Sequence, residues 1–336
     1  MWAMVSLDTA SRYDVQARRP STSVSLSRVG VTGVEKVIRI RADGREQLYY
    51  AELECFVDLS PEQRGAHMSR FEEVINEAID EVVLGEAFKA ETLAQHIAER
   101  VRDRQGGARA EVTIAARYPE SKLAPVSRSP TQEIYTLLGS AVASELGTRR
   151  LIGVEAQGMT ACPCAQQMVI ARSRVRLEKE GFGEEEIERV LRSVPVATHN
   201  QRGIGRLHVG CPEDCADAVD AATLLRIVES SMSSEIYELM KRPDEVEVVE
   251  HAHMHPRFVE DCVREMVRTA VDEFSGLGAG VFVSARQENL ETIHKHNVVA
   301  ECHGLLTDLE RELGGGEAPR RHTTMRDWLE GDPVRA

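Results

Sequence analysis

Apolar residues within positions 46–59 fall at close to two-residue spacing, at Leu48, Tyr50, Leu53, Cys55 and Val57, and this alternation predicts a strand. Beyond Pro61 the period changes. Met68, Phe71, Val74, Ile75, Ala78, Ile79, Val82 and Val83 recur three and four residues apart, which predicts an amphipathic helix over 61–83 with proline in its first turn. A second helix is predicted over 89–104, and strands over 110–117 and 132–144. The first half therefore reads strand, helix, helix, strand, strand, an order that forms two layers. The second half repeats it, with strands over 151–158 and 205–209, helical segments over 214–240 and 257–274, and strands over 280–285 and 298–303. The repetition is one of layout and not of residues.

These patterns divide the chain into an N-terminal arm (1–25), a first module (26–148), a second module (149–310) and a C-terminal tail (311–336). The second module carries an inserted helical pair over 166–193, with Arg172, Arg174 and Arg176 followed by Glu184, Glu185 and Glu186. The tail begins near Gly314-Gly315-Gly316, lacks a sustained apolar face and is expected to be mobile, apart from a short turn at Trp328 and Leu329.

Composition narrows the class of protein. With 336 residues, 42% hydrophobic and 29% charged, the chain can bury one large or two ordinary cores. Its apolar runs fall short of the roughly 20 residues needed to span a bilayer, and Met1–Val5 opens no targeting pattern, so no membrane association is expected. Seven cysteines is an odd number, and Cys162 and Cys164 are too close for an ordinary disulfide. A reducing, cytoplasmic setting follows. A net charge of −14 argues against a nonspecific nucleic-acid binder and requires any anionic ligand to find a local cluster of positive charge.

The candidate chemistry lies in a few clusters. Cys162-Pro163-Cys164 follows a predicted strand, with a proline that stiffens the turn; it offers a functional thiolate, or two small residues packed in a loop. Cys162, Cys164, Cys211 and Cys215 also suffice chemically for a structural zinc. His199-Asn200-Gln201-Arg202 combines imidazole, amide and guanidinium, and equally suits a solvated loop. His251, His253 and His255 would share one side of an extended segment. Glu291 and His294 would meet if their turn is helical, whereas His294 and His296 would share a face if it is extended. Sulfur, nitrogen and oxygen donors in separate clusters suggest one metal site assembled by the fold.

Together with Asp14-Val15-Gln16, Arg64-Gly65-Ala66-His67-Met68-Ser69-Arg70-Phe71, Gly158-Met159-Thr160-Ala161, Lys241-Arg242-Pro243-Asp244-Glu245 and Pro256-Arg257-Phe258-Val259-Glu260-Asp261, these clusters resemble the GTP cyclohydrolases of the type IB and archaeal methanopterin-pathway group, over about residues 14 to 305. The resemblance implies an α+β fold of tandem tunnelling-fold modules, each an antiparallel sheet with two helices on one side, assembled as a barrel-forming homodimer or homotetramer with active sites between subunits. The helical insertion at 166–193 resembles the archaeal branch. That branch implies conversion of GTP to 7,8-dihydroneopterin 2′,3′-cyclic phosphate with Fe(II), releasing formate and pyrophosphate; the type IB branch keeps the triphosphate. Matched motif by motif, the implied metal ligands are Cys162, His199, Glu291 and His294, with Glu250 as an addition, and the metal is Fe(II), with Mn(II) or Zn(II) as substitutes. His296 would move protons or complete the shell. His67, Arg70, Arg202, Lys241, Arg242 and Arg257 would bind substrate. Competing readings are a queuosine-pathway reductase with a nucleophilic cysteine, a structural zinc protein, and a non-catalytic purine or pterin binder.

Overall fold

The computed structural model describes residues 14–42, 45–82, 89–212 and 219–331. The chain is α+β, with strands β1 (Leu26–Ala42), β2 (Arg45–Leu59), β3 (Ala110–Leu123), β4 (Pro130–Ser144), β5 (Gly147–Ala161), β6 (Asn200–Gly210), β7 (Ser234–Glu235), β8 (Phe282–Leu290) and β9 (Val298–Leu305). Hydrogen-bonded neighbours follow the order β1-β2-β3-β4-β5-β6-β8-β9, with β7 paired to β5. The helices are α1 (Met68–Val82), α2 (Ala90–Gln105), α3 (Pro163–Lys179), α4 (Glu184–Ser193), α5 (Ala221–Ser230), α6 (Arg242–Met254), α7 (Val259–Phe274), α8 (Leu306–Leu313) and α9 (Met325–Leu329). None among the described residues is long and apolar enough to cross a membrane. The α+β class and the antiparallel sheet are as expected.

Two compact units share the chain: residues 1–116, 138–151 and 329–332 in one, the remainder in the other. Residues 117–137, placed in the first module by sequence, thus belong with the second unit.

In the first unit β1 and β2 form an antiparallel pair. The sequence pattern missed β1, because register shifts between Leu26 and Val29 and between Val31 and Val34 break its two-residue period. On β2 the buried face is Tyr49, Ala51, Leu53, Cys55, Val57 and Leu59, so Leu48 and Tyr50, predicted as part of the same apolar set, point outward. Phe71, Val74, Ile75 and Ala78 of α1 are buried as their spacing predicts, though the helix begins seven residues after Pro61. Of the N-terminal arm, residues 1–13 lie outside the described residues. Asp14 and Gln16 are held by the 64–67 segment: the Arg64 and Gly65 amides donate to Gln16 O, and His67 Nε2 lies 3.0 Å from both Asp14 carboxylate oxygens.

In the second unit β6, β8 and β9 pair antiparallel, from Arg202 opposite Leu290 to Gly210 opposite Phe282, and from Phe282 opposite Leu305 to Asn289 opposite Val298. Helix α7 packs on β8 and β9 and buries Cys262, Val263, Met266, Val267, Ala270, Val271 and Phe274. That apolar stripe holds the sheet from behind. Helices α3 and α4 occupy the predicted helical pair, starting at Pro163. The long helix predicted over 214–240 is shorter: residues 213–218 lie outside the described residues, α5 ends at Ser230, and Ser234–Glu235 form β7 against Gly158 and Met159. Within the tail, Trp328 is 1% exposed, stacks on Phe282 at 5.9 Å and donates Nε1–H to Gly280 O at 2.8 Å. A single large aromatic anchors a segment that has no periodic pattern for sequence reading to find.

Candidate active site

Strand β5 ends at Ala161, and Cys162 then caps α3 in an extended conformation with Pro163 at the first helical position. Cys162 is thus held at the positively polarised end of α3. Its amide donates to His199 O at 3.1 Å, and Thr198 Oγ1 donates to Cys162 O at 2.7 Å, so the two chain segments are tied together at the start of β6. Gln166, buried in the first turn of α3, donates Nε2–H to Val196 O and to His253 O at 2.9 and 2.6 Å. The Arg257 amide donates to Ala161 O at 3.0 Å and its guanidinium to Ser230 O at 2.8 Å, which brings the loop ahead of α7 to the same place.

These ties surround a cavity of about 260 Å³, lined among others by Cys162, His199, Gln201, Arg257, Glu260, Asn289, Glu291, His294 and His296. Glu291, His294 and His296 occupy the connection between β8 and β9, which is neither helix nor strand. The rings of His294 and His296 stack at 5.2 Å, and His294 stands edge-on to His199 with centroids 6.5 Å apart. Glu291 Oε2 is buried, lies 3.8 Å from His199 Nδ1 and has no hydrogen-bond partner among the described residues. His199 Nδ1 is 3.0 Å from Gln201 Oε1.

The donor set suits a divalent transition metal: one sulfur, imidazoles and a carboxyl whose inner oxygen is otherwise unsatisfied. No three His, Cys, Asp or Glu side chains among the described residues already converge as a closed ligand set.

Other expected site residues lie elsewhere. Strand alternation puts Gln201 inward and Arg202 outward, so Arg202 lines a second cavity with Arg117, Glu133, Tyr135 and Glu229. Glu250, Lys241 and Arg242 are exposed on α6 or at its start and do not line the first cavity. His67 and Arg70 belong to the other unit, where Arg70 donates to Arg104 O. The histidine array is helical and not extended. His251 and His255 therefore approach each other, one turn apart with rings 4.3 Å apart, while His253 Nδ1 lies 2.7 Å from Val249 O. Cys164 is exposed on α3. Cys211 follows the far end of β6, roughly 30 Å from the Cys162 end at strand rise, which breaks the four-cysteine zinc reading; Cys215 lies outside the described residues. Sequence reading named neither Asn289 nor Glu260 as a site residue. Glu260 does sit inside the Pro256–Asp261 motif, a signal that could have found it.

The family model for type I GTP cyclohydrolase folE2 matches residues 13–300. This chain belongs to that cyclohydrolase family. It is similar to the GTP cyclohydrolase MptA of Methanothermobacter thermautotrophicus, 42% identical over 306 residues that cover 89% of this chain and 95% of the relative. The MptA of Methanococcus maripaludis strain C5 is 40% identical over 308 residues, 89% of this chain and 97% of its own. That of Methanocaldococcus jannaschii is 39% identical over 308 residues, 90% and 98%. Among solved structures, uricase from Arthrobacter globiformis aligns with a TM-score of 0.48 at 9% identity, covering 84% of this chain and 95% of the other. As a cyclohydrolase the chain is an enzyme, and the Cys162–His199–Glu291 cavity lies within its family-matched residues.

Proposed function

We propose that this cyclohydrolase acts on GTP, opening the guanine imidazole ring at C8 and releasing formate, with Cys162, His199, Glu291 and His294 holding a divalent metal. The observation that carries the proposal is the convergence of these residues on one cavity with an unsatisfied Glu291 oxygen inside it. A divalent cation held there, Fe(II) in this reading and replaceable by Mn(II) or Zn(II), would supply the Lewis acidity to activate water for attack at C8. Glu260 offers a carboxyl acceptor to the N–H edge of guanine, and Asn289 offers an amide. His296, stacked on His294, carries a proton toward the ring nitrogen freed on opening. Arg257 is the guanidinium in this cavity placed to meet the triphosphate.

Arg202, Lys241, Arg242, His67, Arg70 and Glu250 do not line this cavity. In a barrel-forming homo-oligomer with active sites between subunits they would serve the site of a neighbouring copy. The similarity to MptA enzymes along nearly their whole length supports the methanopterin branch in a cytoplasmic setting, with 7,8-dihydroneopterin 2′,3′-cyclic phosphate and pyrophosphate as products. Anaerobic incubation with GTP and Fe(II), followed by mass identification of the pterin and assay of formate and pyrophosphate, tests this. A pterin bearing three phosphates would move the enzyme to the type IB branch; GTP turnover without formate would overturn the ring-opening reading.

A further inference from the structure

His199 can offer its Nε2 lone pair to a metal only when Nδ1 carries the ring proton, and something must hold it in that tautomer. The group at hydrogen-bond distance from Nδ1 is the side chain of Gln201, two residues on and within β6, while the Glu291 carboxyl stands farther off at 3.8 Å. Gln201 is 5% exposed, and its amide is pinned at both ends: Oε1 is 3.0 Å from His199 Nδ1, and Nε2 donates to Thr160 Oγ1 at 3.0 Å. Thr160 is itself fully buried on β5, two residues before Cys162. The amide therefore spans β5 and β6 directly beneath the two segments that present Cys162 and His199.

We infer that Gln201 and Thr160 are positioning residues that set the tautomer and ring orientation of His199, with Gln201 Oε1 accepting from Nδ1–H. This rests on the metal reading above. The amide orientation is decided by the same reading. Turned over, Gln201 Nε2–H would donate to Nδ1 and leave the proton on Nε2, where it blocks ligation.

The test uses Co(II) as a spectroscopic probe with metal-free full-length Gln201→Leu, Gln201→Glu, Thr160→Val and the parent protein. Dissociation constants come from competition with a chelator, and the visible d–d bands report ligand geometry. Gln201→Leu is expected to weaken Co(II) binding 10- to 100-fold and to shift the bands. Gln201→Glu, which still accepts from Nδ1–H, is expected to rescue the parent spectrum, and Thr160→Val to fall between them. Circular dichroism separates these effects from misfolding; should Gln201→Leu not fold, the Thr160→Val and Gln201→Glu pair decides. Parent-like affinity and spectrum in Gln201→Leu or Thr160→Val would overturn the inference, as would loss of binding in Gln201→Glu. Absence of Co(II) binding by the parent would instead overturn the metal reading, and the inference with it.

Discussion

Replacing Glu291 by glutamine should stabilise the metal-free enzyme and destabilise it relative to the parent once metal is present. The side chain of Glu291 is 7% exposed, and its Oε2 has no hydrogen-bond partner among the described residues. An unsatisfied buried acceptor costs about 1–3 kcal/mol, and a neutral amide is less costly to desolvate than a carboxylate. The metal-free variant should therefore gain about 1–2 kcal/mol, which for a unit of this size raises Tm by about 3–6 °C. Metal reverses the ranking. At a free concentration one hundred times its Kd, the parent gains about 2.7 kcal/mol, whereas a variant with hundredfold weaker affinity gains only about 0.4 kcal/mol at the same concentration. Calorimetric melting of chelator-treated parent and Glu291→Gln, with and without Mn(II), reads both halves. The reasoning is refuted if the metal-free variant melts below the parent, or if both gain equally from metal.

Cys162→Ala should abolish stoichiometric metal binding while Cys164→Ala, altering an exposed residue off the cavity, leaves metal content per chain unchanged. Asp244 gives an acid-sensitive contact. Burial raises its pKa, but hydrogen bonds from Ser127, Lys241 and Val126 outweigh that and hold it well below the usual carboxylate range. Its contribution is present above the unfolded value of 3.8 and lost as pH falls below it, so the Tm gap between parent and Asp244→Ala should shrink on acidification from pH 7 to 3. Burial, aided by Arg206, depresses His208 from 6.5 to about 4, so stability is lost as pH falls between those values. His208→Phe should show a flatter pH–Tm profile in that window. Gly203→Ala should lower Tm and metal affinity together, because a Cβ there would stand 2.3 Å from Gln287 Nε2 on the strand beside His199 and Gln201.

Much of this enzyme was legible along the chain because its signals are local. The three-and-four spacing of Phe71, Val74, Ile75 and Ala78 specifies α1, and the stripe from Cys262 to Phe274 specifies α7, since a helix repeats its buried face within one turn. The motif residues Cys162, His199, Glu291, His294 and His296 carry their chemistry in their side chains, and they line one cavity. What needed the tertiary structure were relations that spacing does not encode. Strand β1 is hidden by its register shifts, and β7 is too short to have a period at all. The two-residue period of β6 sends Gln201 into the cavity and Arg202 out of it, although the four-residue motif reads as one functional block. Helix, not strand, governs His251 and His255, because the propagating backbone hydrogen bonds of α6 outweigh the alternating pattern. Trp328 docks by stacking on Phe282 and by a hydrogen bond to Gly280 O. Apart from α6, whose hydrogen bonds are local, a long-range pairing selects among conformations that the local sequence permits equally, and that energy exists only once the strands and helices are in contact.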